Sequence, residues 1–153
     1  GRSGSMGALA DAALAAGGRI VGVIPRFMVD LEWGHDDLTE LHVVEDMRTR
    51  KHEMLTRASA VVALAGGTGT LEELFEAITL KRLGLFLGPI VIVNTRGYYD
   101  ALLAQLATAV SERFIDERHE AMWTVVAGPD DVLPAIESAA AWGAEARDFA
   151  VVR

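Results

Sequence analysis

The stretch AGGTGTLEEL at 65–74 sets three glycines and two threonines directly ahead of a pair of adjacent glutamates. Glycine lets a ligand come close to the backbone, and the unpaired N–H groups at the head of a helix favour an anion, phosphate above all. Gly66, Gly67, Thr68, Gly69 and Thr70 are therefore the candidate phosphate cradle, with the threonine hydroxyls as extra donors. Glu73, in the first turn beyond it, is the carboxylate nearest such a ligand. Two plainer readings stand beside this one. A tight strand-to-helix turn with no ligand would use the same glycines. Thr70-Leu71-Glu72-Glu73 also fits a capping box, with Thr70 as N-cap and Glu73 at the third helical position. The loop is not a P-loop, since no Gly-Lys-Ser/Thr follows, and it lacks the third glycine of a dinucleotide fingerprint.

The second chemical stretch is EDMRTRKHEMLTRAS at 45–59. Arg48, Arg50, Lys51 and Arg57 crowd four of the chain's 14 basic residues into ten positions, against a net charge of −8. That is either a local anion site or a solvated helix face. Met47, Arg50 and Met54 fall at i, i+3 and i+7, so Arg50 shares a face with two apolar residues. It either snorkels or is held in a pocket. His35, His42, His52 and His119 have no metal-ligand spacing and read as surface or internally satisfied histidines. No nucleophile elbow and no Ser-His-Asp order is present. Tyr98 and Tyr99 read as packing residues at a helix start.

Positioning these groups requires alternating strands and helices. RIVGVI (19–24), LHVVE (41–45), AVVAL (60–64), PIVIVN (89–94) and WTVVA (123–127) read as buried strands. Helices are expected near 5–16, 46–58, 70–84, 98–112 and 129–142. The alternation predicts a doubly wound parallel α/β sheet, Rossmann-like, with ligands at the carboxyl ends of its strands. Leu71, Leu74, Phe75 and Ile78 form the expected buried face of the helix after the glycine loop, with Glu72 and Glu76 solvated. Pro25–Thr39 reads as a long polar loop. One domain over 1–142 and a tail over 143–153 are expected. The chain opens on a glycine-rich stretch that enters a helix with no strand before it.

Composition narrows the class. With 153 residues and 51% hydrophobic content the chain suffices for one soluble domain with a core. The −8 charge argues against a nucleic-acid surface. No cysteine means no disulfide framework and no thiolate metal site, in keeping with the cytoplasm. No apolar run is long enough to span a membrane as a helix.

Together, DMRTRKHEM (46–54) and AGGTGTLEE (65–73) resemble the paired signature of the LOG (Lonely Guy) family, M-H-x-R-K followed by P-G-G-x-G-T-x-x-E. Members are cytokinin riboside 5′-monophosphate phosphoribohydrolases, often mislabelled lysine decarboxylases. The likeness continues through NTRGYYDALL (94–103), FID (114–116) and MWTVVAGPDDVL (122–133), and upstream through GSMG, similar to the family's G-L-M-G. Arg48 stands for the family histidine, Ala65 for the proline and Ser5 for the leucine, while Arg50, Gly66, Gly67, Gly69, Thr70 and Glu73 are kept. The resemblance implies that a β-α-β unit of the fold precedes this chain. It implies hydrolysis of the N-glycosidic bond of a purine nucleoside 5′-monophosphate, cytokinin-type or AMP, to free base and ribose 5-phosphate. Arg50 and Glu73 would be catalytic, residues 66–70 would hold the phosphate, and Met47, Lys51, Gly4 and Met6 are further substrate-binding candidates. Arg50 would hold Glu73 ionised and assist the leaving base. No metal or other cofactor is required, and a homodimer is implied. A nucleotide sensor that has kept the cradle but lost turnover is the alternative. Decarboxylation would need a pyridoxal phosphate lysine, and neither Lys51 nor Lys81 has the context of one.

Overall fold

Ile90–Val93 is an unbroken run of β-branched residues, and each of them is buried. Such a run suits a strand covered on both faces rather than one with a wet side. In the computed structural model, which describes residues 3–31, 34–35 and 37–151, this strand is the centre of a parallel sheet. The chain divides into two compact units, Gly1–Arg57 and Ala58–Arg153.

In the first unit, α1 (Gly4–Ala15) leads to β1 (Val21–Pro25), the short α2 (Arg26–Asp30), β2 (Glu40–Val44) and α3 (Met47–Arg57). β1 and β2 pair in parallel from Val21 opposite Glu40 to Pro25 opposite Val44. The Leu38 side chain packs over Gly22, where a Cβ would lie 2.5 Å from its methyl. The stretch read as a long loop therefore contains a helix. α2 has no buried residue, so it carries no apolar stripe by which a sequence pattern could reveal it.

The second unit runs β3 (Val61–Ala63), α4 (Thr68–Arg82), β4 (Ile90–Val93), α5 (Asp100–Ser111), β5 (Thr124–Val126) and α6 (Val132–Glu137). Its strands lie in the order β3-β4-β5, all parallel, with Val62 opposite Val91 and Ile92 opposite Val125. In that order, crossovers of the usual right hand lay α4 and α5 on the same face. On one face of the sheet, Val91, Val93 and Val126 pack against Val132, Ala135 and Ile136 of α6. All five expected strands and the parallel α/β class are present, with the strands paired as a two-stranded and a three-stranded sheet.

The buried stripe of α4 is Leu74, Ala77, Ile78 and Lys81, whereas Phe75 is 41% exposed and Glu76 half-buried. The stripe is thus rotated from the expected Leu71-Leu74-Phe75-Ile78 face, because the small Ala77 and the stem of Lys81 occupy its centre. Burial lowers the Lys81 pKa. Its Nζ donates to the Gly88 carbonyl at 2.5 Å and lies 5.5 Å from the Trp142 ring centroid. Trp142 Nε1 in turn donates to the Lys81 carbonyl at 2.9 Å.

The same aromatic nest encloses His119. Its ring is fully buried, 4.7 Å from the Phe149 centroid and 6.2 Å from that of Trp142. Burial is the main cause that lowers its pKa, with the Arg82 charge next and Asp116 opposing. The folded chain therefore resists a proton that the unfolded chain accepts near pH 6.5. In that window the unfolded state binds more protons, so stability rises with pH and is lost as pH falls below about 6.5. Urea unfolding at pH steps from 7.5 to about 5 should show this loss, and His119→Phe should flatten it. An unchanged slope in the variant would place the acid sensitivity elsewhere.

Candidate functional site

The glycine loop follows β3 at the carboxyl edge of the three-stranded sheet, and α4 begins at Thr68 with Gly67 as its N-cap. The first helical bond runs from the Leu71 N–H to the Gly67 carbonyl at 3.1 Å. The N–H groups of Thr68, Gly69 and Thr70 therefore precede any intrahelical acceptor. No side chain caps the helix, and Gly67, Thr68 and Gly69 are exposed. The capping-box reading of Glu73 fails here. Thr70 lies inside the helix, and Glu73 is the sixth helical residue, in the second turn rather than the first. It is half-buried. At i+4 from Gly69 and i+3 from Thr70, it shares their face of the helix.

The three glycines answer different needs. None has a positive φ, so backbone conformation is not the reason for them. At Gly66 a Cβ would lie 2.2 Å from Thr70 Oγ1 and 2.8 Å from its Cβ, so Thr70 is seated on that glycine. At Gly67 and Gly69 a Cβ would meet no atom within 4 Å. Among the described residues no packing contact requires glycine at these two positions, and both border open space at the helix head.

Two residues read only as packing hold this loop. Tyr99 is 1% exposed, and its hydroxyl donates to the Leu64 carbonyl at 2.5 Å. Tyr98 is 54% exposed, and its hydroxyl donates to the Gly66 carbonyl at 2.7 Å. Both follow β4, whose carboxyl end lies beside that of β3. Asn94 ties the turn together by accepting from the Tyr99 N–H at 2.7 Å and donating to Asp100 at 2.8 Å. Arg96 and Gly97 supply its left-handed corner, with φ of 57° and 72°. The signal was present in N-T-R-G-Y-Y-D, but only the neighbouring strand gives the tyrosines their target.

The remaining predicted residues lie in the first unit. Asp46 caps α3 by accepting from the Thr49 N–H at 2.8 Å, which lowers its pKa. Met47, Arg50, Lys51, Met54 and Leu55 form the half-buried stripe of α3. Arg50 Nε donates to the Val23 carbonyl at 3.0 Å, so this arginine is anchored against β1 rather than only snorkelling. Arg48 is exposed. Arg57 belongs to a charge network instead, 3.0 Å from Glu53, which is also 2.7 Å from His42. Gly4 opens α1 with φ 69°, and Met6 in its first turn is 53% exposed. Gly66–Thr70 and Glu73 are thus brought together in the second unit, and Gly4, Met6, Met47, Arg50 and Lys51 belong to the first.

Lys81, one of the two lysines weighed for a pyridoxal phosphate linkage, is committed to Gly88 and Trp142 in the interior. Among the described residues no group of three or more His, Cys, Asp or Glu could hold a metal ion, and no helix is long and apolar enough to cross a membrane.

Comparison with known proteins bears on this geometry. The family model described as possible lysine decarboxylase matches residues 6–136. A cytokinin riboside 5′-monophosphate phosphoribohydrolase of Rhodococcoides fascians is 50% identical over 115 residues, 74% of this chain and 58% of that protein. One from Arabidopsis thaliana is 41% identical over 115 residues, 75% of this chain and 54% of that protein. The chain belongs to this LOG-type family. It spans little more than half the length of these relatives.

The glycines separate fold from ligand. Gly66→Ala should lower Tm, because its methyl collides with Thr70. Gly69→Ala should keep or raise Tm, since alanine is favoured over glycine in a helix by about 1 kcal/mol. The same variant should weaken binding of ribose 5-phosphate by about tenfold or more, by analogy with a blocked anion site. Thermal melts and calorimetric titration read both; undiminished binding by Gly69→Ala would remove the loop from the site.

Proposed function

We propose that the protein hydrolyses the N-glycosidic bond of a cytokinin-type riboside 5′-monophosphate, releasing the free base and ribose 5-phosphate. The observation that carries the proposal is the open space at Gly67 and Gly69 at the head of α4, with Glu73 one turn on along the face of Gly69. The printed names of the relatives supply the substrate class.

The 5′-phosphate would accept from the backbone N–H groups at the head of α4, where the helix dipole adds to the attraction. Breaking the bond from C1′ to the base leaves positive charge on the sugar, as in other glycoside cleavages. A fixed carboxylate stabilises that charge more than the neutral ground state, and this is the role given to Glu73. Glu73 also orients the water whose oxygen bonds C1′, and accepts its proton as general base. The electron pair of the broken bond goes to the base nitrogen, which takes up a proton from solvent as Glu73 returns the water's proton to solvent. The role the family resemblance gives Arg50 is to stabilise the negative charge on the departing base. Met47, Lys51, Gly4 and Met6 are the proposed further substrate contacts. No cofactor enters this scheme. AMP is the other substrate the reading admits. A homodimer in the cytoplasm completes the proposal.

The decisive assay is release of free base from nucleoside 5′-monophosphates, followed by chromatography on the full-length protein. Base is expected from the monophosphate and not from the phosphate-free riboside. Glu73→Gln should lose most turnover, by about a hundredfold or more given typical acid-base and electrostatic contributions, while still binding nucleotide. Arg50→Ala should be similarly impaired. Nucleotide binding without base release in the wild type would favour a sensor that has kept the cradle and lost the chemistry.

A further inference from the structure

We infer that Tyr98 is a positioning residue for the phosphate cradle, acting through the Gly66–Gly67 peptide plane. The inference rests on the proposed use of the loop, and it concerns how that loop is kept in shape.

Gly66 and Gly67 form the most deformable link of the turn, because neither carries a side chain that could fix its torsions. Gly67 is exposed and caps α4 with no side-chain bond of its own. Left alone, the peptide between them could rotate. The Tyr98 hydroxyl prevents this by donating to the Gly66 carbonyl at 2.7 Å, an ordinary length for such a bond. In a trans peptide the C=O and the following N–H point in opposite directions. Holding the Gly66 carbonyl toward Tyr98 therefore aims the Gly67 N–H away from it. The Leu64–Ala65 peptide, two steps earlier, is held likewise, since Tyr99 donates to the Leu64 carbonyl. Burial, with the neighbouring Tyr98 adding to it, raises the Tyr99 pKa, so that phenol stays protonated and remains a donor.

The two tyrosines of this bracket also contact each other. The two rings meet edge to face, with centroids 5.0 Å apart and planes at 87°. The Asn94 side chain accepts from the Tyr99 N–H and is itself held by donating to the Asp100 carboxylate. Core packing accounts for Tyr99 but not for Tyr98, whose ring is more than half exposed and whose hydroxyl nevertheless reaches the loop. A residue placed so is fixing the carbonyl rather than filling the interior.

The test is Tyr98→Phe in the full-length protein, which keeps the ring pair and removes only the hydroxyl. Tm should stay close to that of the wild type. KM for the nucleoside 5′-monophosphate should rise about tenfold, the scale of one lost hydrogen bond, with kcat within about twofold. A change confined to KM marks uniform binding, as expected for a phosphate anchor remote from the reacting bond. Inhibition by ribose 5-phosphate should weaken by the same factor. If Tm and kcat fall together while KM holds, Tyr98 is structural and the inference is overturned. Calorimetric binding of ribose 5-phosphate to both forms keeps the inference independent of turnover. Should the wild type release no base yet bind this probe, the proposed reaction fails while the bracket is still read by the variant's weaker binding. Equal affinity in the variant, or no binding by the wild type, overturns the bracket.

Discussion

Parallel pairing of β3 with β4 is the constraint on which the rest of the second unit depends. Parallel strands end at the same edge of a sheet, so the turns that follow them lie side by side. β3 delivers the glycine loop and α4 to that edge, and β4 delivers Asn94, Tyr98 and Tyr99 beside it. An antiparallel pair would have sent the tyrosines to the opposite end. Hydrogen bonds from the phenols to Leu64 and Gly66 are therefore consequences of topology as much as of residue type.

That arrangement also explains why the turn can be so poor in side chains. A loop with several glycines has many accessible conformations, and ordering each residue costs about 1–2 kcal/mol in backbone entropy. Thr70 seated on Gly66 restrains the helix side, and the two phenols restrain the strand side. The loop can then leave Gly67 and Gly69 bare without becoming shapeless.

Much of this was legible in the sequence, because branched apolar runs of four to six residues announce parallel strands and all five were found. The LOG-type membership was legible too, in two motifs at a fixed spacing. Less visible were features set by neighbours rather than by local pattern. The helix began two residues before Thr70 because its cap is a glycine backbone, which no side-chain code announces. The α4 stripe was rotated because Lys81 finds a carbonyl and an aromatic ring inside, a pairing made by residues distant in sequence. Tyr98 looked like packing because its target, the Gly66 carbonyl, belongs to another strand's loop. Arg50 offered two readings, and its bond to the Val23 carbonyl, made by a residue distant in sequence, shows it anchored against β1.

The disposition of the glycines carries the argument from fold to function. In a helix, glycine costs about 1 kcal/mol relative to alanine, and a fold selected only for stability would replace it wherever a methyl fits. At Gly66 the methyl does not fit. At Gly69 it does, within the first turn of α4 and with no atom of the described residues within 4 Å beyond its own helix. Packing among the described residues does not account for that glycine. The proposed anion, which would need the backbone bare, would account for it. Glu73, one turn along the same face, lies beyond the first turn in which a capping box would place it. The proposed reaction would use both groups: the cradle for an anion at one end of a molecule, and the carboxylate where the other end develops positive charge.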